Sequence, residues 1–406
     1  MKKKIFSDVA LNIFATLIPM FVLQFLLLPL VASDLDSNEY GQLLAIVAFL
    51  YLSAGTIGNI LNNVRLINYK NYNDLNLQGD YSILVVISII INIIFMILGL
   101  WYYGESLSVL SIVILILTSI FILLKNYMIV EFRIKLNFKN ILYDSLLLLL
   151  GYIVGFTLFV ISGNWQYIYL CGFAISFVFV FIRTGILKEP LAKTPIFKKT
   201  THQTITLLVS GLLLALGTYI DKLLLYPLLD GEAVSIYYTA TILGKTISLV
   251  IQPITGVLLS YFAQLNKFET KNFHLLFLLS TLVGAMGYGL TVLISKPLLS
   301  IVYPQFVEEA LKYIHVTTIS IIIIIITNIL NVVILKFCDM RWQLIINLSY
   351  MVVYVVISLL LLYLYGLMGF CLGILVASIV KLTVMFVAYY INNSKVKIAN
   401  EEINYG

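Results

Sequence analysis

Apolar residues in this chain come in long, nearly unbroken runs, without the alternating pattern that marks a soluble helix or strand. The runs approach the ~20 residues a helix needs to cross ~30 Å of hydrocarbon, and they recur from end to end. Read in windows, they predict spans near 8–31, 41–63, 82–103, 107–124, 141–162, 165–183, 204–226, 233–262, 273–294, 313–335, 342–365 and 368–391. Backbone amides in lipid must be satisfied within each segment, so the elements are expected to be helices. The expected fold is an all-α membrane protein of about twelve transmembrane helices. The first run follows a basic MKKK start, but it is too long for a signal peptide and has no small-residue cleavage site, so it is read as a retained helix.

Composition agrees, with 61% hydrophobic and only 11% charged residues in 406. Charge adds orientation. With Lys2, Lys3 and Lys4 on the cytoplasmic side, the predicted inner segments collect 20 Lys and Arg, and the outer loops hold only Lys296 and Lys312. Because cationic loops resist translocation, both termini are expected to be cytoplasmic. The longest basic stretch, around 184–203, carries Pro190 and Pro195 and follows the sixth span. It divides the chain into an N-lobe (1–183), a cytoplasmic basic linker (184–203), a C-lobe (204–391) and a cytoplasmic tail (392–406). Anionic lipid headgroups would account for the linker's charge without any substrate role.

Several function classes drop out. No glycine-rich phosphate loop or long soluble insert is present, which argues against an ATPase or a nucleic-acid partner, and no cofactor is expected. Cys171, Cys338 and Cys371 are scattered without a CxxC pair, and His202, His274 and His315 fall in loops or near helix ends, so neither a disulfide framework nor a metal site is suggested. The GxxxG patterns at Gly151 to Gly155 and Gly369 to Gly373 are expected to mark close helix packing.

Three segments carry a resemblance. PLVASDLDSNEYGQLLAIVAF (29–49) has an acidic outer loop before Glu39-Tyr40-Gly41 opens the second helix. In 210–265 an Asp221-Lys222 pair stands late in helix seven, followed by a Tyr-containing start to helix eight and Lys245 further along it. KPLLSIVYPQFVEEA (296–310) lies between helices nine and ten. Together these segments resemble the bacterial polysaccharide and O-antigen repeat-unit flippases, of the superfamily that also contains multidrug and toxin extrusion proteins. The resemblance implies two six-helix lobes around a central cavity, lined by helices 1, 2, 7 and 8 and opening alternately to each side. The sequence departs from that superfamily's drug transporters in having no acidic cluster in its first span beyond Asp8.

Charges inside the hydrocarbon cost about 2.5–3.5 kcal/mol at a helix centre, so those that remain are candidates for function. Lys245 and Lys381 lie ~18 Å and ~20 Å below the predicted outer surface at 1.5 Å per residue. Lys245 would hold a pyrophosphate or acidic sugar, or else a structural partner; Lys381 faces the same choice. Asp221 and its neighbour Lys222, near the outer end of helix seven, would serve an outer gate, contact substrate or pair within the C-lobe. Arg65, at the inner end of helix two, would stand near the cavity mouth and contact substrate, or else serve orientation, which alone demands a cation there. The amides of Asn12, Gln24, Asn59, Asn62 and Gln252 would line a hydrophilic path or join helices. Pro19 and Pro253 interrupt spans one and eight and are candidate hinges.

The function these features favour is a flippase moving undecaprenyl-pyrophosphate-linked oligosaccharide repeat units from the inner to the outer leaflet of the bacterial cytoplasmic membrane, for O-antigen or capsule assembly. Its partners would be that lipid-linked substrate, membrane lipids and neighbouring polysaccharide-assembly proteins. Cation-coupled multidrug efflux is the alternative, and a membrane polysaccharide polymerase or ligase a third, disfavoured by the shortness of every outer loop. Buried cations favour the flippase and buried carboxylates a cationic-drug pump.

Overall fold

A computed structural model describes residues 13–15, 17–104, 107–262 and 268–405, with the backbone alone at 250, 252–254, 256, 257, 259–261, 340 and 394–405. Among the described residues ten helices are long and apolar enough to cross a membrane. We number them α1 (Ile13–Asp34), α2 (Ser37–Asp74), α3 (Asp80–Tyr103), α4 (Val109–Ile134), α5 (Phe138–Ser162), α6 (Gln166–Arg183) and α7 (Phe197–Leu228). After α8 (Gly231–Phe262) come α9 (Thr270–Val302) and α10 (Val307–Phe337). The last apolar stretch, Arg341–Asn393, breaks at Gly366 (φ 58°) into α11 and α12. With that break and with α8, the ten become the expected twelve, and the protein is an all-α, multi-pass membrane fold.

Helix ends fall where polar caps are available. Asp36 accepts from the backbone N–H of Asn38 (2.9 Å) and Glu39 (2.7 Å) at the start of α2, and Ser108 from that of Ser111 (3.1 Å) at the start of α4. Asp230 accepts from Ala233 N–H (2.7 Å) as α8 begins. The middles are inside out relative to a soluble helix. On α3, Ile87, Ile90, Ile91 and Ile94 are exposed whereas Ser88 and Asn92 are buried, the Asn92 amide donating to Ser119 Oγ (2.8 Å) on α4. Lipid covers such a face, and the polar groups find partners between helices.

The chain separates into two compact units, Met1–Val234 and Ser235–Gly406, so α7 groups with α1 to α6. Within the first unit α5 and α6 lie backbone to backbone. A Cβ on Gly151 would come within 2.5 Å of Cys171 O, and one on Gly155 within 2.3 Å of Tyr167 O. That GxxxG pattern is a packing seam inside one unit. In the second unit the same holds between α11 and α12, where a Cβ on Gly373 would meet Ser358 Cα at 2.4 Å. An aromatic and aliphatic core there joins α9, α10 and α12 around Phe273, Leu330, Val333 and Tyr389, the Phe273 and Tyr389 rings stacking at 3.9 Å.

Two helices of the first unit contain a π-turn, Leu23–Leu27 in α1 and Tyr51–Gly55 in α2. Pro19 is buried one turn before the first of them. A π-turn adds a residue to the helical turn and re-aims the side chains around it.

Candidate functional site

The π-turn in α2 opens onto a cavity. Tyr51, Gly55, Thr56 and Asn59 of α2, Asn126 of α4, and Leu214, Ala215, Thr218 and Tyr219 of α7 enclose about 380 Å³ within the first unit. Its lining has no charged side chain. Tyr51 is held from behind by the edge of Phe173 (ring centroids 6.2 Å, 68°), and its hydroxyl lies 3.5 Å from that of Tyr152. Its ring stacks on that of Tyr219 (6.4 Å, 14°), so the two rings form one continuous aromatic wall. Asn59 and Thr218 are exposed to the cavity region. Of the residues expected to line a path, Asn59 is the one placed here. Asn62, one turn on, instead donates to Asn126 O (2.8 Å) and accepts from Arg133 Nη1 (2.6 Å), joining helices.

Arg65 lies elsewhere on α2. Its guanidinium forks onto Glu189, Nη1 to Oε2 at 3.1 Å and Nη2 to Oε1, while Nη1 also donates to the Tyr127 hydroxyl at 2.6 Å. The guanidinium carbon stands 5.1 Å from the centre of the Tyr81 ring. Glu189 belongs to the segment between α6 and α7, so Arg65 ties that segment to the first unit. A second tie is Asp80, buried at the start of α3, which accepts from Thr194 N–H (2.7 Å), Thr194 Oγ and the Tyr72 hydroxyl (2.7 Å). Gly79 (φ 115°) lets the chain pass beneath: a Cβ there would press within 2.5 Å of Ala192 O.

A charge pair that sequence reasoning passed over is buried between α4, α5 and α6. Lys125 Nζ sits 3.0 Å from Asp144 Oδ2, and Ser176 Oγ donates to Asp144 Oδ1. Their side chains are 10% and 1% exposed. The signal was present, because Asp144 falls inside the fifth predicted span and Lys125 next to the end of the fourth.

In the second unit each of the two lysines expected inside the membrane stands near a tyrosine ring. Lys245 Nζ lies 5.4 Å from the centre of the Tyr237 ring, and Lys381 Nζ 5.0 Å from that of Tyr350. Between those tyrosines runs a chain of ring contacts: Tyr237 to Phe370 (5.9 Å), Phe370 to Tyr354 (6.2 Å) and Tyr354 to Tyr350 (5.8 Å). The two cations therefore cap the two ends of one aromatic ladder built from α8, α11 and α12. Of these rings Tyr237 was marked by the Tyr-containing start of helix eight, whereas Tyr350, Tyr354 and Phe370 carried no sequence signal, since tyrosine and phenylalanine abound throughout the chain.

Asp221 is buried and accepts from the Lys222 backbone N–H (2.9 Å), and the Lys222 side chain is half-buried. Gln24 is half-buried on the α1 π-turn. Gln252 and Pro253 lie on α8 with side chains outside the described residues, as do Asp8 and Asn12 altogether. Among the described residues no group of His, Cys, Asp and Glu is arranged to hold a metal ion.

No protein-family model matches the sequence, and no curated relative matches it. By structure the chain matches an inward-facing multidrug-resistance MATE family transporter of the MOP superfamily, with a TM-score of 0.69 at 12% identity over 96% of this chain and 99% of that one. It matches the lipid II flippase MurJ in an inward closed conformation with a TM-score of 0.67 at 14% identity, over 96% and 87%. An outward-facing MATE family transporter of the same superfamily matches at 0.58 and 13% identity, over 96% of each chain. The fold is thus the twelve-helix architecture that MATE transporters and MurJ share. The proteins matched are transporters, not enzymes.

Proposed function

We propose that the protein is a flippase for a lipid-linked oligosaccharide, carrying an undecaprenyl-pyrophosphate-linked repeat unit from the inner to the outer leaflet of the bacterial cytoplasmic membrane for O-antigen or capsule assembly. The observation that carries this reading is the pair of intramembrane cations, Lys245 and Lys381, at the ends of the aromatic ladder, in a fold shared with a lipid II flippase. A cation deep in a helix suits the diphosphate of a polyprenyl-linked substrate. In this reading the two halves rock around a central cavity, sugar and diphosphate ride inside, and the lipid tail stays in the bilayer. Asp221 and Lys222 would serve the outer gate, and Pro19 and Pro253 the bending of α1 and α8. Membrane lipids and polysaccharide-assembly proteins are its proposed partners.

Cation-coupled multidrug efflux is the second reading, supported by the likeness to MATE transporters. It calls for a buried carboxylate open to an ion. Asp144 is instead taken up by Lys125 and Ser176, and Asp80 by Tyr72 and Thr194.

The deciding experiment deletes the gene and restores wild type or Lys245→Ala at matched membrane abundance. Lipid-linked oligosaccharide is expected to accumulate on the inner leaflet in the deletion and to clear with wild type but not with Lys245→Ala. Unchanged surface polysaccharide in the deletion would move drug efflux to the front.

A further inference from the structure

The cavity at the α2 π-turn differs in chemistry from the cationic ladder of the second unit. Its walls offer the stacked rings of Tyr51 and Tyr219, two amides, Asn59 and Asn126, and two threonine hydroxyls, Thr56 and Thr218, with no acid or base among the described lining residues. The negative π-face of a tyrosine attracts the polarised C–H bonds on the flat side of a pyranose ring, and amides and hydroxyls both donate to and accept from sugar hydroxyls. Diphosphate would find no counter-charge here. A lipophilic cation would find ring faces but no carboxylate, and it would leave the directional amides and hydroxyls without use. The volume of about 380 Å³ stands near the lower end for small-molecule pockets, which is room for a single sugar ring.

The cavity is also built, not incidental. The Tyr51 ring is fixed by Phe173 and by the Tyr152 hydroxyl, and the local π-turn sets its direction. Thr56 Oγ1 bonds back to Tyr51 O at 3.3 Å, which steadies the same turn. The wall that continues from it, Leu214 to Tyr219, comes from α7.

We propose that this cavity is a subsite for an uncharged sugar ring, laid against the aromatic wall at Tyr219 and hydrogen-bonded by Asn59, Asn126 and Thr218. This deepens the flippase reading and rests on it for the source of the sugar. It divides recognition of the substrate between two places, a neutral one for sugar in the first unit and a cationic one in the second.

The test uses the full-length protein in nanodiscs free of glycoside detergents and reads saturation transfer by NMR from protein to added small molecules. The probes are methyl glucoside and N-acetylglucosamine as neutral sugars, glucuronate as an acidic one, and tetraphenylphosphonium as a lipophilic cation. The neutral sugars are expected to bind wild type in preference to glucuronate. Tyr219→Ala is expected to weaken them about tenfold, on the scale of one aromatic contact. Tyr219→Phe keeps the ring and is expected to retain most of the binding. Asn59→Ala, at an exposed position that carries little packing, is expected to weaken the same probes and so separates recognition from loss of fold. Neutral-sugar signals that are equal in wild type, Tyr219→Ala and Asn59→Ala would overturn the proposal. So would tetraphenylphosphonium binding that these two substitutions abolish while sugars stay unaffected. The two readings fail separately: surface polysaccharide unchanged by the deletion, with sugar binding intact, removes the flippase and leaves the subsite. Intact export with equal handling of sugar-bearing and sugar-free polyprenyl diphosphate by wild type and Tyr219→Ala removes the subsite alone.

Discussion

At Asp144 a carboxylate 1% exposed has Lys125 3.0 Å away from one oxygen and the Ser176 hydroxyl donating to the other. Both charges have left water, and neither can be dispensed with alone. Removing one partner of a buried pair costs about 3–5 kcal/mol, whereas replacing both with apolar groups of similar size is often neutral. Asp144→Leu and Lys125→Met are therefore each expected to lower thermal stability strongly in detergent, and the double variant to return close to wild type. A double variant as unstable as the worse single one would show that the pair does more than neutralise itself. Arg65 shows the same economy with a different geometry. Its planar fork matches the Glu189 carboxylate and its face meets Tyr81, a set of contacts that lysine does not reproduce.

At the scale of elements, the segment between α6 and α7 behaves as a strap and not as a free linker. Glu189 is fixed by Arg65, the Glu189 carbonyl accepts from Ser82 Oγ (3.2 Å), Thr194 is fixed by Asp80, and Gly185 N–H donates to Glu131 (2.9 Å). Its last residues are already the first turns of α7, which begins at Phe197. Such a segment is expected to resist trypsin at Lys188 and Lys193 while its ties hold, because cleavage needs local opening. Glu189→Gln with Asp80→Asn is expected to raise the cutting rate severalfold in inside-out vesicles. A rate equal to wild type would mean that other contacts hold the strap. The π-turns belong to this scale as well: the one at Tyr51–Gly55 is what turns Tyr51 toward the cavity on α2.

At the scale of the whole molecule, orientation is the property that follows most directly from charge. With the native Cys171, Cys338 and Cys371 replaced by serine or alanine, a single cysteine at Glu232 is expected to react with a membrane-impermeant maleimide on intact cells. One at Ala192 is expected to react only after permeabilisation. The opposite pattern would invert the topology. Helix number and the charge asymmetry behind this expectation were legible in the sequence because each depends on local hydropathy or on counting cations, whereas helix length was not, the span expected at 41–63 belonging to a helix that runs Ser37–Asp74. The two GxxxG seams were legible for a similar reason, since only small residues let two backbones touch. Which polar groups meet was not. Arg65 and Glu189 are 124 positions apart, and Tyr350, the ring beneath Lys381, has nothing in the sequence to set it apart from the many other tyrosines. A span states that a helix crosses, but the rotation of that helix about its axis decides which side chains look inward. In a bilayer both apolar faces are tolerated, so hydropathy carries little of that information. Packing alone set Asn59 beside Tyr219, Lys125 beside Asp144, and the two deep lysines at opposite ends of one ladder of rings.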